Sequence, residues 1–172
     1  TELSLIQNQT VLSGSLELDF ASRSLDANLS TDSGRIEDII PIFFSFSGLE
    51  GDVRGSVQLK GPFTGLDITS EMELGESSLW GEKFTDGTFS LHMKEKFLTV
   101  DEFVLNNNDR NIHLRGSMDE KKNLNFEAYG NRWDVSQLDF IRDLSVPLQG
   151  DVQFYTLIKG QGVRPSGTIH LL

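Results

Sequence analysis

The sequence contains no cysteine and only four prolines among its 172 residues, whereas it has sixteen glycines. Without cysteine the chain can form neither a disulfide framework nor a thiolate metal site. No apolar run approaches the roughly 18 residues that a membrane-spanning helix needs. The formal net charge is −11, and such a surface repels the phosphates of nucleic acids. What remains is a chain that is rich in glycine and therefore in tight turns.

The first residues carry no signal-peptide pattern, and the chain begins at Thr1 rather than at a methionine. We therefore expect 1–172 to be a single fragment of a longer β-repeat protein. Any membrane anchor or export signal is then expected outside it. The length suffices for one substantial apolar core.

Catalytic and metal-binding patterns are missing as well. His92, His113 and His170 lie far apart on predicted strands and alternate away from the apolar residues, so we expect solvated side chains rather than a zinc site. Paired carboxylates such as Asp101-Glu102 fit a solvated strand face better than acid–base catalysis, and no serine stands in a nucleophile elbow. We expect a protein that is not an enzyme and that uses neither a cofactor nor a metal.

Alternation of apolar and polar residues dominates the chain, and this pattern is typical of β-strands. Leu16, Leu18 and Phe20 alternate with Glu17 and Asp19, for example, and similar runs recur to the end of the chain. Turn motifs rich in glycine or Asx separate these runs, at 31–34, 61–62, 85–87, 106–109 and 119–122. The sequence therefore predicts an all-β fold, with antiparallel strands of about seven to nine residues and one apolar sheet face.

The apolar positions of the alternation are the candidates for a shared inward face that lines a groove. These positions are Leu16, Leu18, Val57, Leu59, Leu66, Ile68, Met72, Leu74, Phe89, Leu91, Met93, Ile112, Leu114, Leu124, Phe126, Phe154 and Ile158. On alternation alone, the same residues can line an open groove or fill the closed core of a β-sandwich.

Two short segments depart from the strand pattern. Residues 36–40 place isoleucines at helical spacing before Pro41, with Ser33 as the candidate N-cap. Residues 135–142 repeat this spacing after Asp134. Each segment predicts about two helical turns, and Pro41 shortens the first.

The two tryptophans are expected to pack rather than to bind a ligand. Trp80 is expected in the core of a hairpin, and Trp133 is expected to fix the start of the second helix. A carbohydrate platform needs exposed, coplanar aromatic rings, and two tryptophans so far apart do not indicate one.

An internal repeat links the two helical segments. A shift of 99 positions places 25–27 on 124–126, 36–42 on 135–141, 49–53 on 148–152 and 60–61 on 159–160. With a three-residue slip, Gly14 meets Gly116 and Gly65 meets Gly167. We expect approximate repeat units at 11–75 and 112–172, with meander strands 76–111 between them. Such a unit buries its apolar face by stacking on its neighbours.

These elements resemble the repeat of the TamB and AsmA-like family of envelope proteins. That repeat has a strand ending in Gly-Ser, an alternating strand, a short helix rich in Leu or Ile, and a strand that begins Leu-x-Gly-Asp-Val and ends in glycine. The second copy here comprises 114–117, 124–129, 135–144, 148–160 and 165–169, and the first comprises 12–15, 25–30, 35–40, 49–61 and 62–68. The resemblance covers nearly the whole chain, through patterns of glycine and apolar residues.

The resemblance implies an elongated, curved antiparallel sheet that is folded lengthwise around a hydrophobic groove (a β-taco), with one or two short helices. It implies a protein anchored in the inner membrane that spans the periplasm of a Gram-negative bacterium. The resemblance also implies contact with an outer-membrane partner of the BamA type through regions outside this fragment. The implied cargo is phospholipid acyl chains or apolar β-strands of outer-membrane proteins, for lipid transport between the membranes or for outer-membrane protein assembly and secretion.

Two other functions remain open at this point. The chain can be a β-sandwich module for adhesion or carbohydrate binding, which a closed core and aromatic residues on an outer face favour. It can also be a purely architectural rod segment. An open sheet also has exposed edge strands, so self-association through them is a further possibility.

Overall fold

The computed structural model describes residues 2–43, 48–134, 150–161 and 166–171. The strands are β1 (Glu2–Gln7), β2 (Thr10–Asp19), β3 (Ser24–Arg35), β4 (Leu49–Pro62), β5 (Asp67–Leu79), β6 (Glu82–Phe84), β7 (Asp86–Lys94), β8 (Phe97–Asn107), β9 (Arg110–Met118), β10 (Asn123–Asp134), β11 (Asp151–Gln161) and β12 (Ser166–Leu171). The helix α1 (Ile36–Phe43) lies between β3 and β4.

All twelve strands form one antiparallel sheet in which neighbours along the chain are neighbours in space. The order runs from β1 to β5, then from β7 to β12, and the short strand β6 pairs with β5 outside this path. The sheet is curved, as shown by the contact between Phe84 on β6 and Trp133 on β10, whose ring centroids are 6.1 Å apart. It does not close, since β1 and β12 are the two ends of the path. The predicted all-β, curved antiparallel sheet with a short helix is confirmed.

The strands are longer than the sequence predicted. The longest, β4, has 14 residues, so it extends for about 46 Å at roughly 3.3 Å per residue. Residues 31–34, predicted as a turn, lie inside β3, where the pairing with β4 shifts between Thr31 and Gly34. A β-bulge accepts the same glycine and polar residues as a turn, but the strand continues through it. The predicted strand length of seven to nine residues is therefore wrong for β2, β3, β4, β5, β8, β10 and β11, which have ten to fourteen residues, and for β1, β6 and β12, which have three to six.

Helix α1 covers one end of the apolar sheet face. Its residues Ile36, Ile39 and Ile40 are buried in the main apolar cluster, as the spacing of the isoleucines requires. The helix includes Pro41 and ends two residues after it. Ser33 is not its N-cap, because β3 continues to Arg35 and the helix begins at the next residue. The second predicted helix, 135–142, lies outside the described residues.

A buried carboxylate fixes the β1–β2 hairpin to α1. Asp38 accepts hydrogen bonds from Asn8 Nδ2 at 2.6 Å and from Thr10 Oγ1 at 2.9 Å. The hydroxyl of Thr10 in turn accepts the backbone N–H of Arg35 at 2.7 Å. The hydrogen bond from Asn8 is the largest cause that lowers the pKa of Asp38, and bonds from Thr10 and from the backbone of Gln9 and Thr10 add to it. The ionised carboxylate is therefore the form that the fold stabilises.

The internal repeat is visible in the sheet register. Strand β3 pairs with β4 from Ser24–Pro62 onward, and β10 pairs with β11 from Asn123–Gln161 onward, so every pair is displaced by 99 residues. The bulge between Thr31 and Gly34 recurs at the equivalent place, between Gly130 and Trp133. Two strand pairs with one register and one bulge position are the same structural unit, used twice.

The register also corrects the alignment around this pair. Gly14 pairs with Leu29, and the 99-residue shift makes Ala128 the equivalent of Leu29. Ala128 pairs with Leu114, so Leu114 rather than Gly116 corresponds to Gly14. Gly167 pairs with Ile158, and Ile68 pairs with Leu59. Since Ile158 is equivalent to Leu59, Gly167 corresponds to Ile68 and not to Gly65. Glycines that coincide in sequence are a weaker guide than the partners they have in the sheet.

Candidate functional site

The candidate site is the apolar face of the sheet. Cross-strand partners point to the same face, so rows of partners can be followed from strand to strand. One row consists of Leu16, Ala27, Leu59, Ile68, Met93, Leu98, Met118 and Leu124. The next row consists of Gly14, Leu29, Val57, Ser70, Leu91, Val100, Gly116, Phe126 and Ile158.

Two further rows continue this face, from Thr31 to Thr156 and from Gly34 to Phe154. Of the seventeen predicted groove residues, fifteen lie in these four rows. Leu18 pairs with Leu25 one row further out, and Leu66, just before β5, packs against the apolar cluster. None of the four rows contains a charged side chain among the residues that the structure describes. The first row crosses eight strands, which is about 34 Å at the usual strand spacing.

Two glycines in these rows allow close packing on the apolar face. Gly55, with φ of +149°, lies opposite Met72, and Gly116, with φ of +154°, lies opposite Phe126. A Cβ atom at either position would come within 2.4 Å of a backbone oxygen on the neighbouring strand. The larger side chain of each pair instead approaches the glycine, so that the apolar surface continues without a gap.

The predicted groove residues differ in their exposure. Five are buried: Val57, Ile68, Met72, Leu74 and Leu91. Leu18 is exposed, and the other eleven are half-buried: Leu16, Leu59, Leu66, Phe89, Met93, Ile112, Leu114, Leu124, Phe126, Phe154 and Ile158. The face is thus a packed core in one part and an accessible apolar surface in another.

On β2 the exposure of the apolar side chains changes along the strand. We call the end that carries α1, β6 and the turns at 8–9 and 108–109 the helix end, and the end with the turns at 20–23, 63–66, 95–96 and 119–122 the hairpin end. On β2, Leu12 near the helix end is 4% exposed, whereas Leu18 near the hairpin end is 43% exposed. The helix end is closed by α1 and β6, and nothing among the described residues covers the hairpin end of β2.

Exposed phenylalanines mark three neighbouring hairpins at the hairpin end. Phe20 in the β2–β3 turn is 77% exposed, and Phe63 in the β4–β5 turn and Phe97 at the start of β8 are each 48% exposed. The first two turns are joined directly, because the backbone N–H of Phe63 donates to the carbonyl oxygen of Arg23 at 3.0 Å. Phe20 and Phe63 extend the accessible apolar surface beyond the strands, whereas Phe97 precedes Leu98 of the first row and faces the polar side of the sheet.

The two ends also differ in charge. Depressions of about 430 and 540 Å³ at the helix end are lined by seven carboxylates against three arginines: Glu37, Asp38, Asp52, Glu82, Asp109, Asp134 and Asp151, with Arg35, Arg110 and Arg132. Residues 19–23, 63–66, 94–97 and 119–122 at the hairpin end contain four carboxylates and five cationic side chains. The exposed side chains of Leu18, Phe20 and Phe63 lie at the end with balanced charge.

The opposite sheet face is polar and carries ion pairs between strands. Arg54 pairs with Glu73, and Asp67 pairs with His92 at 2.5 Å and with Lys94 at 3.2 Å. The hydrogen bond from His92 is the main cause that lowers the pKa of Asp67. His92 was expected to be simply solvated, and this contact corrects that expectation.

One feature of the polar face has no pattern in the sequence that indicates it. His113, Tyr129, Tyr155 and His170 are successive cross-strand partners on β9 to β12. The rings of His113 and Tyr129 stack at 4.4 Å with 9° between their planes. They face each other rather than forming one flat platform, so they are not arranged to stack on a sugar ring. Four residues from four strands give no local sequence signal, and only the register brings them together.

The tryptophans have different environments. Trp80 is 71% exposed in the turn between β5 and β6, so the prediction that it lies in a hairpin core is wrong. Trp133 is buried between Phe84 and Phe154, and its Nε1 donates to the carbonyl oxygen of Asn111 at 3.0 Å. The helix that Trp133 was expected to precede lies outside the described residues.

Other kinds of site receive no support from the described part of the chain. It contains no group of three or more His, Cys, Asp or Glu residues that could hold a metal ion. None of its helices is long and apolar enough to cross a membrane. Comparison of the chain with models of protein families, with curated proteins and with solved structures gives no match.

Proposed function

We propose that this chain is a segment of a TamB-like envelope protein and that its apolar sheet face holds the acyl chains of phospholipids. The observation that carries the proposal is the set of four cross-strand rows without a charged side chain among the described residues. An acyl chain has no hydrogen-bonding group, so a surface of predominantly apolar, uncharged side chains matches its chemistry. The first row is about 34 Å long. One leaflet fills half of a hydrocarbon core that is roughly 30 Å thick, so the row is longer than the acyl chains of one leaflet.

The hairpin end is the proposed point of access for these chains. Leu18 is exposed there and Leu16 and Leu124 are half-buried, and Phe20 and Phe63 extend this surface to the turns. The helix end is closed by α1 and lined by carboxylates, which repel anionic headgroups. A lipid therefore approaches with its acyl chains toward the hairpin end.

Two apolar cargoes are candidates, namely phospholipid acyl chains and the β-strands of outer-membrane proteins, and the chemistry of the sheet face favours the acyl chains. A β-strand of an outer-membrane protein brings backbone N–H and C=O groups that must be paired, and an apolar sheet face cannot pair them. Acyl chains impose no such cost. The proposal places the full-length protein in the periplasm, anchored in the inner membrane, where it serves phospholipid transport between the membranes.

The test is uptake of a photo-cross-linkable phosphatidylethanolamine by the purified chain, measured by mass spectrometry. Leu124 and Asn125 provide a matched pair, because these neighbours on β10 point to the apolar and the polar face. Leu124→Glu is expected to reduce the labelled fraction roughly tenfold, because a carboxylate is costly to bury beside an acyl chain. Asn125→Glu adds the same charge on the polar face and should leave labelling unchanged.

Thermal unfolding of both variants shows whether the fold is retained. Labelling that equals a control protein of similar charge would refute lipid binding and favour the architectural rod. Equal loss in both variants would also contradict the proposal, because charge rather than the apolar face would then control labelling. Leu91 is unsuited to this test, since it is 1% exposed and a charge there reports on folding.

A further inference from the structure

The free edge of β1 is uncovered, although its sequence is suited to pairing. The strand pairs with β2 without a register shift, and its other edge has no partner strand among the described residues. Residues 2–7 contain no lysine and no proline, which commonly protect edge strands. Leu5 on the apolar face is 45% exposed, and Ile6 on the other face is 73% exposed.

The internal repeat contains a second version of this edge. Strand β1 pairs with β2 through Gln7–Thr10, and β8 pairs with β9 through Asn107–Arg110. Each residue of β1 thus corresponds to the residue of β8 that lies 100 positions further along the chain, and Leu5 corresponds to Leu105.

In that second version the edge is covered, and the occupant is β7. Gly87 lies opposite Leu105 and Phe89 lies opposite Phe103, in antiparallel register. Leu105 is 0% exposed, in contrast to 45% for Leu5 at the equivalent position. The chain itself therefore shows which kind of strand fits this edge: one with bulky apolar residues at alternate positions and small or polar residues between them, as in Asp86–Lys94.

Strand direction leads to the same occupant. The path from β1 to β12 without β6 has eleven strands, all paired antiparallel, so β1 and β12 run in the same direction. Placing one chain directly after another would pair these two edges in parallel. A single intervening strand restores the antiparallel order, and β7 performs this role between β5 and β8.

We propose that the free edge of β1 is a docking site for an extended peptide strand of the β7 type, which adds to the sheet in the register that β7 has on β8. The bound strand places an apolar residue opposite Leu3 and a small residue opposite Leu5. A second copy of the chain is the weaker occupant, because each copy carries a net charge of −11 and the edges of successive copies run parallel. The inference is independent of lipid binding, since it uses the backbone edge and not the apolar face.

The experiment offers the chain a fluorescent peptide with the sequence of residues 86–94. Binding is followed by anisotropy, and amide hydrogen exchange reports protection within residues 2–7. Leu5→Lys is expected to weaken binding at this edge roughly tenfold, because it places a charge against the apolar side of the added strand. Ser4→Lys puts the same charge on the opposite face of β1, where the peptide places a threonine, and should leave binding nearly unchanged.

A second peptide, in which the residues matching Phe89 and Leu91 are lysine, tests the apolar pattern and should not protect β1. Three results would overturn the proposal. They are an absence of protection in residues 2–7 at saturating peptide, equal protection by the lysine peptide, and protection that grows with protein concentration without any peptide. The last result would identify a second copy as the occupant.

Discussion

The helix end and the hairpin end of the sheet are made from the same strands, yet they do different things with the same kind of residue. Leu12 and Leu18 lie on one face of β2, and one is buried while the other is exposed. At the helix end, α1 supplies the second layer that an apolar sheet face needs to form a core. Over the hairpin end of β2, where Leu18 lies, no described element supplies it. A core and a binding surface thus differ by what covers them, not by their own sequence.

The largest expected effect contrasts these two leucines. Leu12→Ala should lower the free energy of unfolding by about 2–5 kcal/mol, because it leaves a cavity in the packed core. Leu18→Ala should cost less than about 1 kcal/mol, since the exposed side chain loses little burial. Denaturant unfolding of both variants measures the difference. Equal losses would mean that the hairpin end is as closed as the helix end.

A smaller effect is expected at the carboxylate that fixes the helix end. Asp38→Asn should lower the free energy of unfolding by about 1–3 kcal/mol at neutral pH, because one amide oxygen cannot replace two carboxylate oxygens as acceptor. The folded state lowers the pKa of Asp38, so its stabilisation is complete above the ordinary value of 3.8 and is lost as the pH falls through the lower folded pKa.

Unfolding measured from pH 7 to pH 2 checks this sign. The wild type and Asp38→Asn should converge at the acidic end of the series. A gap that widens toward low pH would contradict the role given to the ionised carboxylate. Asp52→Asn is a suitable comparison, because this carboxylate is solvent-exposed and pairs with Arg35 at the surface, so the loss should be under about 1 kcal/mol.

The smallest effect concerns a polar atom in the closed part. The hydroxyl of Ser77 on β5 is buried and has no hydrogen-bond partner among the described residues. Ser77→Ala should therefore raise the free energy of unfolding by up to about 1 kcal/mol, because it removes a desolvated hydroxyl. Ser78→Ala on the other face should change it by less than about 0.5 kcal/mol. A loss of stability in Ser77→Ala would reveal a bond that the hydroxyl does make.

Much of this molecule follows from its sequence. Period-two alternation predicts the sheet and places residues such as Val57 and Phe126 on one face, because a strand has no other way to separate apolar from polar residues. The isoleucines of 36–40 predict α1 for the same reason at helical spacing. The 99-residue shift predicts that β10 and β11 repeat β3 and β4, since strands with the same apolar positions adopt the same register.

What the sequence does not supply is the pairing across strands and the covering of the face. The bulge at Thr31–Gly34 resembles a turn locally, and only the partner strand decides between them. Likewise Leu12 and Leu18 occupy the same face of β2 in the alternation, which does not show that α1 covers only one of them. The stacked His113 and Tyr129 come from different strands and give no periodic signal.

The order of the strands has a consequence for how the molecule is made. Every described strand pairs with strands near it along the chain, and the most distant partners, such as Ser24 and Pro62, are 38 residues apart. Sheets that join remote segments must wait for the later one, which slows folding and exposes unpaired edges. Here each new strand can add to one that is already in place. A chain delivered N-terminus first therefore exposes a single growing edge at any time, and the length of the protein adds steps to its folding without adding longer searches.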